Sequence, residues 1–169
     1  MDCIFCKIVQ GEIPAIKIFE DELNLAFLDI KPRSPGHTLA IPKKHYERLE
    51  EMPEEEAKEL MGFIHKLIKV IPEAVGAKGF NLGINNGRVA GQEVMHVHFN
   101  IIPRFEGDGG SSIQGIVKLE VNEDLNSIGQ KIRKFLEKEK NDKSFEREWQ
   151  EFNLETQDDV KDFSEARRE

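Results

Sequence analysis

Apolar residues along the chain recur with two periods, and these separate strands from helices. From residue 94 to 102 they alternate, with Met95, Val97, Phe99 and Ile101 on one face and His96, His98 and Asn100 on the other. This alternation predicts a strand that buries its apolar face against a second layer. Its nitrogen-bearing side chains would then stand about 6.5 Å apart on a rigid platform. Residues 16–19 and 25–28 read as shorter strands joined by the polar turn Glu20-Asp21-Glu22, and residues 37–42 and 80–84 as two more. Residues 3–10 predict a turn and a short helix ended by Gly11.

Helical spacing appears in Leu60, Phe63, Ile64, Leu67, Ile68 and Ile71. Pro53 suits the first turn of that helix, and Glu54, Glu55 and Glu56 face its positive end. Pro72 is expected to kink or end it near Ile71, with Gly76 and Gly79 completing the stop. The predicted fold is α+β: a five-stranded, mainly antiparallel sheet with the 53–71 helix on one face.

Past Arg104 the texture changes. The run Glu106-Gly107-Asp108-Gly109-Gly110-Ser111-Ser112 marks a boundary, giving a domain over 1–110 and a C-terminal helical extension over 111–169. Asn122 is expected to cap a helix striped by Leu125, Ile128, Ile132, Phe135 and Leu136. Phe145, Trp149 and Phe152 share one helical face further on, in either a solvated tail or a helix docked on the body or on a second subunit.

At 169 residues the chain is long enough to bury a sizeable core. Its net charge of −8 leaves no electrostatic footprint for nucleic acid or an anionic membrane. No apolar run reaches transmembrane length, and Met-Asp-Cys does not open a signal peptide, so the expected location is cytoplasmic. The two cysteines, Cys3 and Cys6, form one C-x-x-C, which excludes a disulfide framework. A thioredoxin-like pair would need a strand before it. Half a metal site is the better reading, alongside two reduced, unliganded thiols.

The histidine-bearing face could be a merely solvated sheet surface. Against this, it lacks Lys, Glu and Thr. It also follows Asn85-Asn86-Gly87 and Gly91-Gln92, a loop of small and amide residues able to bring N–H groups to an anion.

Gly91-Gln92-Glu93-Val94-Met95-His96-Val97-His98-Phe99-Asn100-Ile101-Ile102 resembles the signature of the histidine-triad family of nucleotide hydrolases and transferases. That signature is His, apolar, His, apolar, His, then two apolar residues; the third histidine is Asn100 here. The resemblance runs from Cys3 to Gly110, roughly two-thirds of the chain. It implies a covalent nucleotidyl-His98 intermediate that water then cleaves, with His37 and Asn100 on the phosphate side. It also implies Asp29 on the ribose hydroxyls and Ile30 against a purine base. Asn85, Gln92 and the backbone of Gly91 to Glu93 would supply neutral donors to phosphate. His98 must expose the correct ring nitrogen, which in the family is arranged by a backbone carbonyl on the same strand. Cys3, Cys6, His45 and His96 would hold a structural zinc, and two copies would pair through the long helix and its neighbouring strand as a homodimer with one ten-stranded sheet. His65 matches nothing and reads as a surface residue.

The activity so implied is hydrolysis of nucleoside phosphoramidates or related nucleotidyl substrates. Ile-Pro-Arg followed by Glu-Gly-Asp also suits a dinucleoside polyphosphate hydrolase or phosphorylase. Asn100 keeps a hydrogen bond but cannot carry charge. It therefore implies a slower or less pH-dependent hydrolase, or a nucleotide-binding protein with little turnover.

Overall fold

The computed structural model describes residues 2–140. They fall into two compact units, Met1–Lys118 and a second beginning at Leu119. The first unit holds a five-stranded antiparallel sheet: β1 Lys17–Glu20, β2 Asn24–Leu28, β3 Thr38–Pro42, β4 Gly79–Ile84 and β5 Phe99–Arg104, in the order β1-β2-β3-β5-β4. Helix α1 is Ile4–Val9 and helix α2 is Glu54–Ala74. This is the α+β architecture that the periodicities predict.

Both faces of the central strands are covered, which is why β2 and β3 read as nearly continuous apolar runs. On one face Ala26 and Ala40, paired across β2 and β3, join Phe63, Ile64, Leu67 and Ile71 of α2 in a single cluster. Two small side chains side by side let the helix approach the sheet closely. On the other face Leu25, Phe27, Leu39 and Ile41 pack with Phe5 and Ile8 of α1. The N-terminal helix is thus built onto the sheet opposite α2, and it carries Cys3 and Cys6 with it.

Three expectations are corrected. The strand expected over 94–102 begins only at Phe99 and runs on to Arg104. Its ladder to β3 stops at Ala40–Phe99 because the chain takes other partners: Val97 N–H donates to Tyr46 O at 2.8 Å and His96 N–H to Val94 O at 2.9 Å. Alternation fails there, so His96, Val97, His98 and Phe99 are buried in succession while Met95 is only half-buried. The histidine face is therefore an interior surface.

The long helix does not end at Ile71 either. It passes through Pro72 to Ala74, because a proline in the last turn removes only one hydrogen bond before the helix stops. Gly76, at φ +72, then closes it: Ala77 N–H donates to Pro72 O at 2.8 Å and Gly76 N–H to Glu73 O at 3.0 Å, the paired bonds of a Schellman cap.

Between β2 and β3 the Pro/Gly-rich loop is packed against both ends of this framework. Ser34 Oγ donates to Pro103 O at 2.7 Å, and a Cβ on Gly36 would lie 2.9 Å from Val75 Cγ1 and 3.3 Å from Pro103 Cγ. Gly36 also sits at φ +82. Gly36→Ala should therefore lower stability by about 3 kcal/mol, adding left-handed backbone strain to overpacking. Urea denaturation measures it, and a loss below about 1 kcal/mol would mean the loop yields easily.

In the second unit, helix α3 is Leu125–Lys140. Asp124 rather than Asn122 caps it, accepting from Ser127 N–H at 2.9 Å. Leu125, Ile132, Phe135 and Leu136 of its stripe are exposed. Phe145, Trp149 and Phe152 lie outside the described residues. No helix among the described residues is long and apolar enough to cross a membrane.

Candidate active site and metal centre

His98 stands where the irregular segment 95–98 enters β5. It is 8% exposed, and its Nδ1–H donates to the carbonyl of His96 at 2.7 Å. That bond fixes the tautomer, leaving Nε2 with a lone pair and no partner among the described residues. Phe5 sets its ring edge-on to His98, with centroids 5.3 Å apart, and also touches His96 and Phe27. The sequence reading missed Phe5. Its position between the two cysteines was the only available signal, and it acquires meaning only once α1 is seen to cover the sheet.

His37 opens toward the same region from the start of β3. Its Nδ1 accepts Arg33 N–H at 3.2 Å and its Nε2 faces Asn100 Oδ1 at 3.1 Å. Asp29 lies beside it, with Oδ2 3.8 Å from His37 Nδ1 and Oδ1 accepting Lys31 N–H at 2.8 Å. Ile30 is exposed. Sequence positions 29, 37 and 100 therefore meet beside β3 and β5, with His98 two residues before Asn100 in the chain.

The glycine and amide loop is braced rather than open. Gln92 is buried: its Oε1 accepts Gly87 N–H at 2.6 Å, and its Nε2 donates to Glu47 O at 2.7 Å and Val94 O at 3.1 Å. Those bonds use both ends of the side-chain amide, so its geometry supports the loop's shape. Asn86 ties the loop to the 3-10 turn Leu49–Glu51 through Leu49 N–H at 2.9 Å and Glu50 at 2.6 Å. Asn85 is exposed, with one long bond of 3.4 Å to Gly91 O, and Glu93 is exposed nearby. Gly87 and Gly91 take φ +89 and +87, which lets the backbone turn twice within five residues.

On the other side of His96 lies a cluster of four donors. Sγ of Cys3 and Cys6 and Nδ1 of His45 and His96 all lie within 4.8 Å of one another. The sulfur–nitrogen separations are 3.5 Å for Cys3–His96, 3.4 Å for Cys6–His45 and 3.7 Å for Cys6–His96. A tetrahedral zinc with Zn–S of about 2.3 Å and Zn–N of about 2.05 Å sets sulfur and nitrogen about 3.6 Å apart. The donor set fits that ion in both spacing and chemistry. His96 is prepared for it, since Nε2–H donates to Pro42 O at 2.8 Å and turns the Nδ1 lone pair inward. Burial pushes the Cys6 thiol up, and the neighbouring Cys3 adds to this. A cation is what would draw the proton off.

Burial also pushes the His96 imidazole down to about 4 from its usual 6.5. For a base whose folded value is depressed, stability is present above the unfolded value and lost as pH falls through the folded one. Metal-free protein should lose about 3 kcal/mol between pH 6.5 and 4, and His96→Gln should lack that loss. Urea midpoints at the two pH values test this, and equal slopes in both proteins would assign the acid sensitivity elsewhere.

A HIT domain profile matches residues 10–107, more than half of the chain. The chain belongs to the HIT family. It is 54% identical over 131 residues to an uncharacterized HIT-like protein of Methanocaldococcus jannaschii, covering 78% of this chain and 98% of that one. It is 41% identical over 133 residues to the adenosine 5'-monophosphoramidase of Schizosaccharomyces pombe, covering 78% and 96%. Among solved structures it resembles a zinc-bound histidine triad protein of Mycobacterium smegmatis, with a TM-score of 0.61, 37% identity and coverage of 77% and 89%.

Proposed function

We propose that this HIT protein hydrolyses nucleoside phosphoramidates or related nucleotidyl substrates through a nucleotidyl-His98 intermediate. The observation that carries it is the 2.7 Å bond from His98 Nδ1–H to the His96 carbonyl, which leaves the Nε2 lone pair of this buried ring for attack. A relative 41% identical bears the name of a phosphoramidase, which supports the same chemistry. Asp29 keeps Oδ2 for ribose hydroxyls, and exposed Ile30 offers apolar surface to a base. Asn85 and the backbone of Gly91 to Glu93 remain the candidate donors to phosphate.

Cys3, Cys6, His45 and His96 would hold zinc, which closes its coordination with four protein ligands and ties α1 to the segment carrying His98. Pairing of two copies across β4, a free edge of the sheet, belongs to this reading too.

The residues behind the dinucleoside polyphosphate alternative are engaged with each other. Arg104 is bidentate to Asp108, with Nε–Oδ2 and Nη2–Oδ1 both 2.7 Å, and its Nη1 reaches Asn81 at 2.5 Å and Ser111 O at 2.9 Å. That guanidinium braces the turn after β5 and is not offered to a longer phosphate chain. Trapping tests the reading. Protein mixed with adenosine phosphoramidate and quenched at alkaline pH should carry one adenylyl group on the peptide containing His98, and an adduct on any other residue would displace the proposal.

A further inference from the structure

The hydrogen bonds around Asn100 determine which way each polar group faces. Arg33 N–H can only donate, so His37 Nδ1, 3.2 Å away, accepts. The His37 proton is therefore on Nε2, and it points at the side-chain oxygen of Asn100 at 3.1 Å. The Asn100 amide nitrogen is left without a partner among the described residues. The ring N–H groups in this chain of contacts are already committed to acceptors. His37 Nε2–H is held by Asn100, an amide does not titrate in the working range, and His98 keeps its own N–H on the His96 carbonyl. Where the family signature has an imidazole able to carry charge, this chain has a neutral donor.

We propose that Asn100 makes the site selective for nucleotidyl mixed anhydrides, in which the nucleotide phosphate is joined to the anion of a strong acid, over phosphoramidates. This rests on His98 being the nucleophile. Attack by Nε2 forms the N–P bond as the bond from phosphorus to the leaving group breaks, and the bonding pair departs with that group. Sulfate holds the pair as a stable anion and needs no proton. The nitrogen of a phosphoramidate leaves as a neutral amine only after gaining one, and the Asn100 amide has none to give. The second step is common to both substrates: water adds to phosphorus, its proton passes to solvent, and the P–N pair returns to Nε2 as the nucleoside monophosphate is released. Asn100 thus acts on specificity through what it cannot supply.

A positioned general acid contributes about 10²–10⁴-fold. The test measures kcat/KM for adenylyl sulfate, for adenosine phosphoramidate and for N-substituted phosphoramidates of graded amine basicity, with wild type, Asn100→His and Asn100→Gln. Wild type should prefer the sulfate by at least about 10²-fold, and its rates should fall steeply as the leaving amine becomes more basic. Asn100→His should raise phosphoramidate turnover about 10²-fold relative to sulfate turnover and flatten that slope. Asn100→Gln, which keeps the amide, should retain the wild-type ranking. The wild-type ranking alone decides if Asn100→His does not fold. Equal wild-type rates on sulfate and amidate, or an unchanged slope in Asn100→His, would overturn the proposal and leave the His98 reading intact. Turnover of neither substrate, with no adduct, would remove both.

Discussion

Replacing His98 with alanine should lower nucleotidyl turnover by at least about 10⁴-fold and abolish the covalent adduct, while nucleotide still binds. The size of the effect follows from the site's construction. A covalent route divides one displacement into two, and both steps use the same Nε2 lone pair. No neighbouring imidazole is placed to substitute. His37 Nδ1 accepts Arg33 N–H and its Nε2 is occupied by Asn100, while His96 has one nitrogen on Pro42 O and the other among the thiols. With ribose and base on Asp29 and Ile30, as proposed, the substitution leaves the binding contacts in place, so KM should move far less than kcat. His98 is not one of the four clustered donors, and metal content should be unchanged in the variant. Residual turnover above about 1% of wild type would reassign the nucleophile, since removing an essential nucleophile leaves only binding and polar stabilisation.

Much of this site was legible because strand spacing and the histidine signature name residues directly. His96, His98, Asn100, His37 and the two cysteines needed no coordinates to be singled out, and the structure brings the first four to neighbouring places on β3, β5 and their approaches. What period-two reading could not supply is the break before Phe99. That break depends on Val97 N–H finding Tyr46 O across 51 residues, a contact that no local pattern encodes. It changes the meaning of the motif. Phe5 meets both rings, yet His96 turns Nδ1 to the cysteines while its carbonyl holds His98.

Gln92 shows a second limit. Residue type marks a donor, but only the fold shows that Glu47 and Val94 already receive its N–H groups. Composition likewise placed an aromatic between two cysteines without saying that its ring would meet His98 edge-on. The long helix was read correctly through its buried stripe, and its end was misread because the cost of Pro72 depends on how little helix follows it.

Cys6→Ser should release the metal and lower the melting temperature by roughly 10 °C, a loss of about 4 kcal/mol in a domain of this size. Two elements with little else in common meet at the four donors: α1, whose apolar contacts rest on Phe5 and Ile8, and the loop carrying His45. A zinc held by these four donors would join them to His96 and offset the repulsion of two thiolates held close together. Without it the Cys6 thiol stays protonated, because burial already pushes it up. The consequence reaches the active site through a single residue. His96 gives its side chain to the cluster and its carbonyl to His98 Nδ1–H, so release of the ring loosens the acceptor that fixes the His98 tautomer. Cys6→Ser should therefore reduce kcat as well as stability, by a smaller factor than His98→Ala. Elemental analysis, a thermal melt and single-turnover rates on the same preparations separate these effects. Wild type purified without metal yet melting no lower than a zinc-loaded sample would show that the four donors hold the fold as a hydrogen-bonded cluster alone.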